Sequence, residues 1–292
     1  MIIKLIHQTL LSLAVVVLGS TLVCGKNFEN FFRQDTSYTR YLNLKYGPAE
    51  GNGNLLDLYL PRNNTTDTKL IVYVHGGSWK WGSKNDFPEI LISTLTAKGY
   101  GVATINYRLL REGNNRFPAQ IEDIKNAIAF LTAKANAYGY NGKEFALLGV
   151  SAGAHLSLLY TYKHDAQKQV RTVIDIVGPT DLTDKVFRDN PSASAIINQF
   201  LGNANPQAAI AIEASPIYHL KKETGVPTII FHGESDELVN VNQSKELYKK
   251  LQLLGIQSQL ELYPGETHEM RKSLFSIYTR LGVWLQKVYP AK

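Results

Sequence analysis

Phe145-Ala146-Leu147-Leu148-Gly149-Val150-Ser151-Ala152-Gly153 is the stretch that decides the fold of this chain. Four apolar residues run without a break into the pattern G-x-S-x-G, and Ala152 to Tyr162 continues in largely small and apolar residues. This reads as strand, sharp turn and helix, the setting in which a serine stands at a strained elbow as a nucleophile. Side chains at positions 149 and 153 would collide with the neighbouring strand or helix. A helix N-terminus behind the serine offers free N–H groups and positive dipole to a developing anion. The plainer role for Ser151 is a helix N-cap. Its partners elsewhere in the chain favour the nucleophile.

Outward from this stretch, strand and helix signals alternate. Leu70 to Val74 is a fully apolar strand leading through His75 into Gly76-Gly77, and Val102 to Tyr107 is another. Phe87 to Lys98 has helical spacing, with Gly99 placed as its C-cap. Pro118 opens a long amphipathic helix that puts Ile121, Ile124, Ile128 and Leu131 on one face. Val173 to Val177, Thr228 to Phe231 and Gln259 to Tyr263 are further strands, with helices over Gln243 to Leu254 and Met270 to Lys287. Before all of these, Tyr41 to Tyr46 and Leu55 to Leu60 flank a Gly/Asn/Pro-rich turn and pair as a hairpin. Such alternation predicts an α/β architecture, a mostly parallel sheet with helices on both faces. Residues 181–225 break the rhythm with Pro191, Pro206 and Pro216, and are expected to form a small cap inserted between two core strands. An ordinary long crossover would satisfy the same pattern.

A nucleophilic hydroxyl needs a base, the base needs an orienting acid, and acyl transfer needs N–H donors for an oxyanion. Of the seven histidines, His7 sits near the N-terminus and His75 belongs to the Gly-Gly loop. By spacing, His155 points away from Ser151. His164 and His219 fall in unpatterned segments, and His232 ends an apolar strand in a structural role. That leaves His268, in the loop Pro264-Gly265-Glu266-Thr267-His268 after the last strand, as the base. Asp236 follows the strand at Thr228 to Phe231 by a short loop. It is preferred as the acid over Glu234, Glu237 and Asp181, because the chain order Ser151, Asp236, His268 is the one this kind of fold imposes. The Gly pair after the Leu70 to Val74 strand can turn its amides toward the nucleophile. The oxyanion hole is therefore assigned to the N–H groups of Gly77, Ser78 and Ala152. Trp79 and Trp81 flank this loop and are candidates to line the substrate pocket, with packed core as the alternative. Tyr107-Arg108 and Asp123 are expected to buttress the loop. No His/Cys/Asp/Glu spacing suggests a metal, and no phosphate loop or dinucleotide fingerprint suggests a cofactor.

From about Tyr41 onward the chain resembles the α/β-hydrolase esterase/lipase family. Its nearest likeness is to the hormone-sensitive-lipase-like carboxylesterases and the bacterial acetyl- and feruloyl-esterase domains. His75-Gly76-Gly77-Ser78-Trp79, Asn106-Tyr107-Arg108-Leu109, the elbow at Ser151, and His232-Gly233 leading to Asp236 carry it. The resemblance implies an α/β-hydrolase fold and a serine hydrolase of short-chain or carbohydrate-linked (acetyl or feruloyl) esters, with no cofactor. Ser78 stands where many lipase-like members have a third glycine, and the variant with Trp79 is shared by kynurenine formamidases. An arylformamidase and an esterase-like binding module with a dead site are thus the rival readings. A prolyl-oligopeptidase-type exopeptidase would bring a large extra domain that this chain lacks.

The 292-residue chain is 44% hydrophobic and 19% charged, the balance of an ordinary globular protein. Lys and Arg exceed Asp and Glu by 31 to 25. No basic block with interleaved aromatics accompanies that excess, so no nucleic-acid partner is expected. Lys4, the apolar run Leu10 to Leu18 and the small residues up to Gly25 have the layout of a secretory signal peptide over residues 1–25. The expected location is exported, periplasmic or secreted. Cys24, the one cysteine, excludes an intramolecular disulfide. Cleavage just before it would allow a lipid anchor on its thiol, although Thr21-Leu22-Val23 fits a lipobox only loosely.

Overall fold

The computed structural model describes residues 38–291, so the expected signal peptide and Cys24 lie outside the described residues. An eight-stranded sheet runs in the order β1-β2-β4-β3-β5-β6-β7-β8. Its strands are β1 (Tyr38–Lys45), β2 (Leu55–Pro61), β3 (Leu70–Val74), β4 (Gly101–Ile105), β5 (Phe145–Val150), β6 (Val170–Ile176), β7 (Thr228–Gly233) and β8 (Ser258–Tyr263). β1 and β2 form the expected antiparallel hairpin, and β2 is antiparallel to β4. From β4 to β8 every pairing is parallel.

The continuous apolar runs become central strands because helices cover both faces of the sheet. On β3 the side chains alternate between two cores. Leu70, Val72 and Val74 join one with the residues of α2 (Ala119–Tyr138), α3 (Ala152–Leu159) and α8 (Asn242–Leu253). Ile71 and Tyr73 join the other with α1 (Glu89–Ala97) and α9 (Leu274–Val288). The predicted α2 stripe, Ile121, Ile124, Ile128 and Leu131, is buried as a whole. Gly139 ends that helix in the left-handed region at φ 73°.

Chain direction across the sheet reverses beside β3. The chain steps from β3 outward to β4, then returns to the other side of β3 as β5. Loops leaving the carboxyl ends of β3 and β5 therefore diverge and open a crevice, where ligands of open α/β sheets bind. The His75-Gly76-Gly77 loop and the Ser151 turn both lie at this point.

Several bounds differ from the sequence reading for identifiable reasons. β4 stops at Ile105, because Asn106 turns its side chain to the Lys84 N–H and the Asn52 carbonyl, 2.6 and 2.8 Å away. The helix after Ser151 is α-helical only to Leu159 and widens into a π turn over Tyr160–His164. α9 begins at Leu274, since Met270 adopts φ 52° and Arg271–Ser273 form a 3-10 turn. Residues 181–225 carry four short helices, α4 (Lys185–Arg188), α5 (Pro191–Leu201), α6 (Ala209–Glu213) and α7 (Pro216–His219), between β6 and β7. Pro191 and Pro216 start helices there rather than merely interrupting them.

One buried ion pair ties the segment after the Gly-Gly loop to the hairpin. Lys84 Nζ lies 2.5 Å from Asp57 Oδ2, and both side chains are nearly fully buried. Removing one member leaves an uncompensated buried charge. Lys84→Met is expected to lower the unfolding free energy in urea by about 3 kcal/mol. A loss below ~1 kcal/mol, the range of a surface pair, would show that this contact does not anchor the segment.

Candidate active site

Ser151 sits at φ 52° and ψ −118°, between the last residue of β5 and the first turn of α3. Such a conformation is costly for a residue with a side chain and persists only where its surroundings over-determine it. Here the Ser151 N–H donates to Ile176 O of β6 at 2.8 Å, and its carbonyl accepts from His155 N at 3.0 Å. The two flanking glycines are required by contact. A Cβ on Gly149 would stand 2.4 Å from the Ala154 backbone, and one on Gly153 would stand 2.0 Å from Val74 O.

His268 reaches over this turn from the loop after β8. Its Nε2 is 2.9 Å from Ser151 Oγ and its Nδ1 is 2.7 Å from Asp236 Oδ2. With the carboxylate able only to accept, Nδ1 carries the proton and Nε2 is left to accept from the Ser151 hydroxyl. The loop is held in place by backbone contacts. Glu266 O accepts from Ser235 N at 2.9 Å, and Tyr263 O accepts from Glu234 N at 3.0 Å. Gly233 makes this crossing possible, since a Cβ there would meet Glu266 O at 2.4 Å.

Asp236 has both oxygens committed. Oδ1 accepts from the N–H groups of Leu238 and Val239 at 2.9 and 2.8 Å. Oδ2 accepts from His268 and also lies 3.1 Å from His232 Nε2. Burial alone would raise its pKa, but hydrogen bonds from His232 and His268 outweigh that, and the carboxyl is held well below the usual carboxylate range. His232 is therefore more than the end of a strand. Its Nδ1 accepts from Ser244 Oγ at 2.7 Å, which directs Nε2–H toward Val239 O and Asp236. The i, i+4 spacing of His232 and Asp236 was the signal available in the sequence. Asp181 instead accepts from the Thr183 hydroxyl, and among the described residues no hydrogen bond or ion pair joins Glu234 or Glu237 to His268.

The loop after β3 passes close to the nucleophile. A Cβ on Gly76 would lie 3.5 Å from Ser151 Cβ. Gly77, Ser78 and Trp79 all have positive φ, at 106°, 53° and 57°. Gly77 O closes the turn by accepting from Lys80 N and Trp81 N at 2.9 and 2.8 Å. Among the described residues, no protein acceptor takes the N–H of Gly77, Ser78 or Ala152. The buttress has the expected members. Tyr107 Oη donates to His75 O at 3.0 Å and stacks on the His75 ring, while Arg108 N and Nε donate to Asp123.

The two tryptophans separate. Trp81 is 54% exposed beside the loop, with Lys80 over its ring. Trp79, expected as a pocket candidate, is 2% exposed and stacked on Phe200. It is core, because the positive-φ turn at 78–79 swings its indole inward rather than toward solvent.

One buried acid near the site has no motif to mark it in the sequence. Asp175 of β6 pairs across the sheet with Gly149 and Ile230 and is fully buried. Its Oδ1 accepts from Gly178 N at 2.9 Å, and Oδ2 has no partner. Burial pushes its pKa up to about 7, against a smaller opposing influence of His232 and the Gly178 N–H. A strand pattern marks such a position only as inward-facing, which hides an acid whose pKa is raised by burial.

An eight-stranded sheet with an antiparallel hairpin at one edge, a serine elbow after β5 and a histidine after the last strand define the α/β-hydrolase class. The chain belongs to the BD-FAE family, whose model matches residues 56–251. It is 28% identical over 230 residues to the probable carboxylic ester hydrolase LipM of Mycobacterium tuberculosis, a match covering 73% of this chain and 52% of that protein. It is 25% identical to the kynurenine formamidase of Salmo salar, covering 78% and 74%. The chain spans about half the length of the first curated relatives it matches. Among solved structures, a truncated carbohydrate esterase from gut microbiota superposes with a TM-score of 0.71 at 23% identity, covering 86% of this chain and 99% of that one. Propionate-bound Est2, an esterase of Thermogutta terrifontis, gives 0.69 at 20% identity, covering 89% and 98%.

The raised Asp175 pKa gives a pH test. A group that holds its proton more tightly when folded contributes stability below its unfolded pKa, near 3.9, and loses it as pH rises toward about 7. Asparagine does not titrate. The stability of Asp175→Asn relative to wild type is expected to climb between pH 4 and pH 7, by ~4 kcal/mol at most. A pH-independent difference would mean that Asp175 is already charged when buried.

Proposed function

We propose that this chain is a serine carboxylic ester hydrolase that works through an acyl-enzyme. The observation that carries this reading is the continuous contact from Ser151 Oγ through the His268 imidazole to Asp236. His268 Nε2 takes the hydroxyl proton as Ser151 Oγ attacks the ester carbonyl carbon. The N–H groups of Gly77, Ser78 and Ala152 hold the oxyanion that forms. Collapse breaks the bond to the alcohol oxygen, which leaves with the proton from His268. Water then attacks the acyl-serine and gives a proton to the same nitrogen, and His268 returns that proton to Ser151 Oγ as the acyl–oxygen bond breaks and the acid leaves. Asp236 keeps the imidazole in the required tautomer and favours its cationic form. The curated relatives named as ester hydrolases support this reaction class.

The proposed substrates are short-chain or carbohydrate-linked esters, acetyl or feruloyl, met by an exported protein. The carbohydrate-esterase neighbour and the N-terminal signal pattern support that choice. Residues 181–225 are assigned as a small cap, supported by the packing of Phe200 against the oxyanion loop. Trp81 offers this class of substrate an exposed aromatic surface next to the loop. The second reading, arylformamide hydrolysis by the same residues, is favoured by the likeness to a kynurenine formamidase and is decided by comparing N-formylkynurenine with p-nitrophenyl acetate.

Ser151→Ala is expected to reduce p-nitrophenyl acetate turnover by ~10⁴-fold or more, with an unchanged thermal melting curve. Near-full activity in the variant would eliminate Ser151 as nucleophile. Trp81→Ala is expected to raise KM severalfold for methyl ferulate or acetylated xylan and to leave p-nitrophenyl acetate kinetics alone. Equal effects on all three would remove Trp81 from the substrate surface.

A further inference from the structure

Trp79 and His155 meet in the core behind the site, joining two motifs far apart in the chain. Trp79 Nε1 donates to His155 Nδ1 at 3.2 Å, and His155 Nε2 donates to Ala214 O at 2.7 Å. The indole also lies flat on Phe200, with ring centroids 4.2 Å apart and 12° between planes. Both side chains are essentially sealed from solvent.

Two features make this more than packing. First, Ser78 and Trp79 hold positive φ without being glycine, a strained conformation that relaxes unless something holds it. Of these two, only Trp79 buries its side chain, and its carbonyl is also fixed, by Leu110 N at 2.8 Å. Second, the partner is placed on the nucleophile's own helix. His155 lies one turn after Ser151 and donates its backbone N–H to the Ser151 carbonyl. One hydrogen bond thus joins the loop that carries the Gly77 and Ser78 amides to the turn that carries the Ser151 hydroxyl and the Ala152 amide. An oxyanion site needs those two sets of donors fixed relative to each other to within a fraction of an ångström.

The hydrogen-bond directions are unambiguous. Ala214 O can only accept, so Nε2 carries the proton, and the Nδ1 lone pair faces the indole N–H. Burial lowers the His155 pKa to about 4, so the ring stays neutral and Nδ1 remains an acceptor near neutral pH. Apolar side chains of similar size would fill the same volume. What the polar pair adds is a fixed distance and direction.

We propose that Trp79 and His155 are a positioning pair, holding the strained oxyanion loop in register with the nucleophile helix and braced from behind by Phe200 and Ala214 of the 181–225 segment. The inference rests on the ester-hydrolase reading and assigns both residues an effect on the chemical step without contact with substrate. It also gives the inserted segment a second duty: its packing sets the oxyanion loop as well as covering the site.

The test uses three variants of the full chain. Trp79→Phe keeps a ring against Phe200 and removes the donor. His155→Leu removes the acceptor, whereas His155→Asn puts Oδ1 near the place of Nδ1 and keeps it. Turnover of p-nitrophenyl acetate is measured per active site, counted by fluorophosphonate titration. Inhibition by an alkyl trifluoromethyl ketone, which builds a tetrahedral oxyanion on the serine, is measured beside it. Trp79→Phe and His155→Leu are expected to lower kcat about 10- to 100-fold, a loosening short of losing one oxyanion donor. KM should stay within about twofold, and ketone affinity should weaken in proportion to kcat. His155→Asn is expected to stay within a few-fold of wild type. Wild-type kcat per titrated site in Trp79→Phe, or a loss in His155→Asn as large as in His155→Leu, would overturn the pair's role. Should His155→Leu fail to fold, Trp79→Phe decides alone. Wild-type protein that neither turns over ester nor reacts with fluorophosphonate would overturn the hydrolase reading, and this inference with it.

Discussion

The geometry of this molecule depends on how closely the nucleophile helix approaches the end of β3. Gly153 has no room for a side chain, because the Val74 and His75 carbonyls occupy the space where a Cβ would be. That approach lets the first turn of α3 face the Gly76-Gly77 loop, so amides from two separate loops border one small volume above Ser151. It also forces the tight turn at residue 151, whose unusual backbone angles aim the hydroxyl out of the sheet toward the histidine loop. Close packing of this kind carries strain through neighbouring groups rather than absorbing it. The surrounding hydrogen bonds, accepted by the Ile176, Gly77 and Glu266 carbonyls, hold the strained elements where they are.

Electrostatics follow from the same frame. Asp236 is buried yet kept ionised, because two backbone amides and two imidazoles satisfy its oxygens. Asp175, fully buried and with no partner for Oδ2, has its pKa pushed up to about 7 instead. Two buried aspartates, one within β6 and one in the loop after β7, thus have pKa values displaced in opposite directions, following the number of donors each one meets.

Much of this was legible in the chain. The unbroken apolar runs at 70–74 and 145–148, each ending in a glycine motif, are what a two-sided central strand looks like, and the 3.6-residue stripe of α2 needed no tertiary knowledge. The G-x-S-x-G elbow, the loop after the last strand and chain order together point to Ser151, His268 and Asp236, and the structure puts those three side chains in contact. Local pattern could not choose how side chains meet across the sheet. The indole of Trp79 turns inward because of positive φ at two non-glycine residues, which no propensity anticipates. The bond from Trp79 to His155 depends on where a loop and a helix 76 residues apart come to lie. Helix ends depart from local rules where one residue changes the backbone, as Met270 does before α9.

The central claim is that a hydroxyl, an imidazole and a carboxylate act as one unit to form a covalent acyl intermediate. Rapid acid quench of the protein during turnover of a p-nitrophenyl ester, followed by peptide mass spectrometry, tests it directly. The account predicts an acyl mass increment on the peptide containing Ser151, appearing with a burst of about one equivalent of p-nitrophenol. Turnover with no acylated peptide, or with the acyl group on another residue, would contradict it.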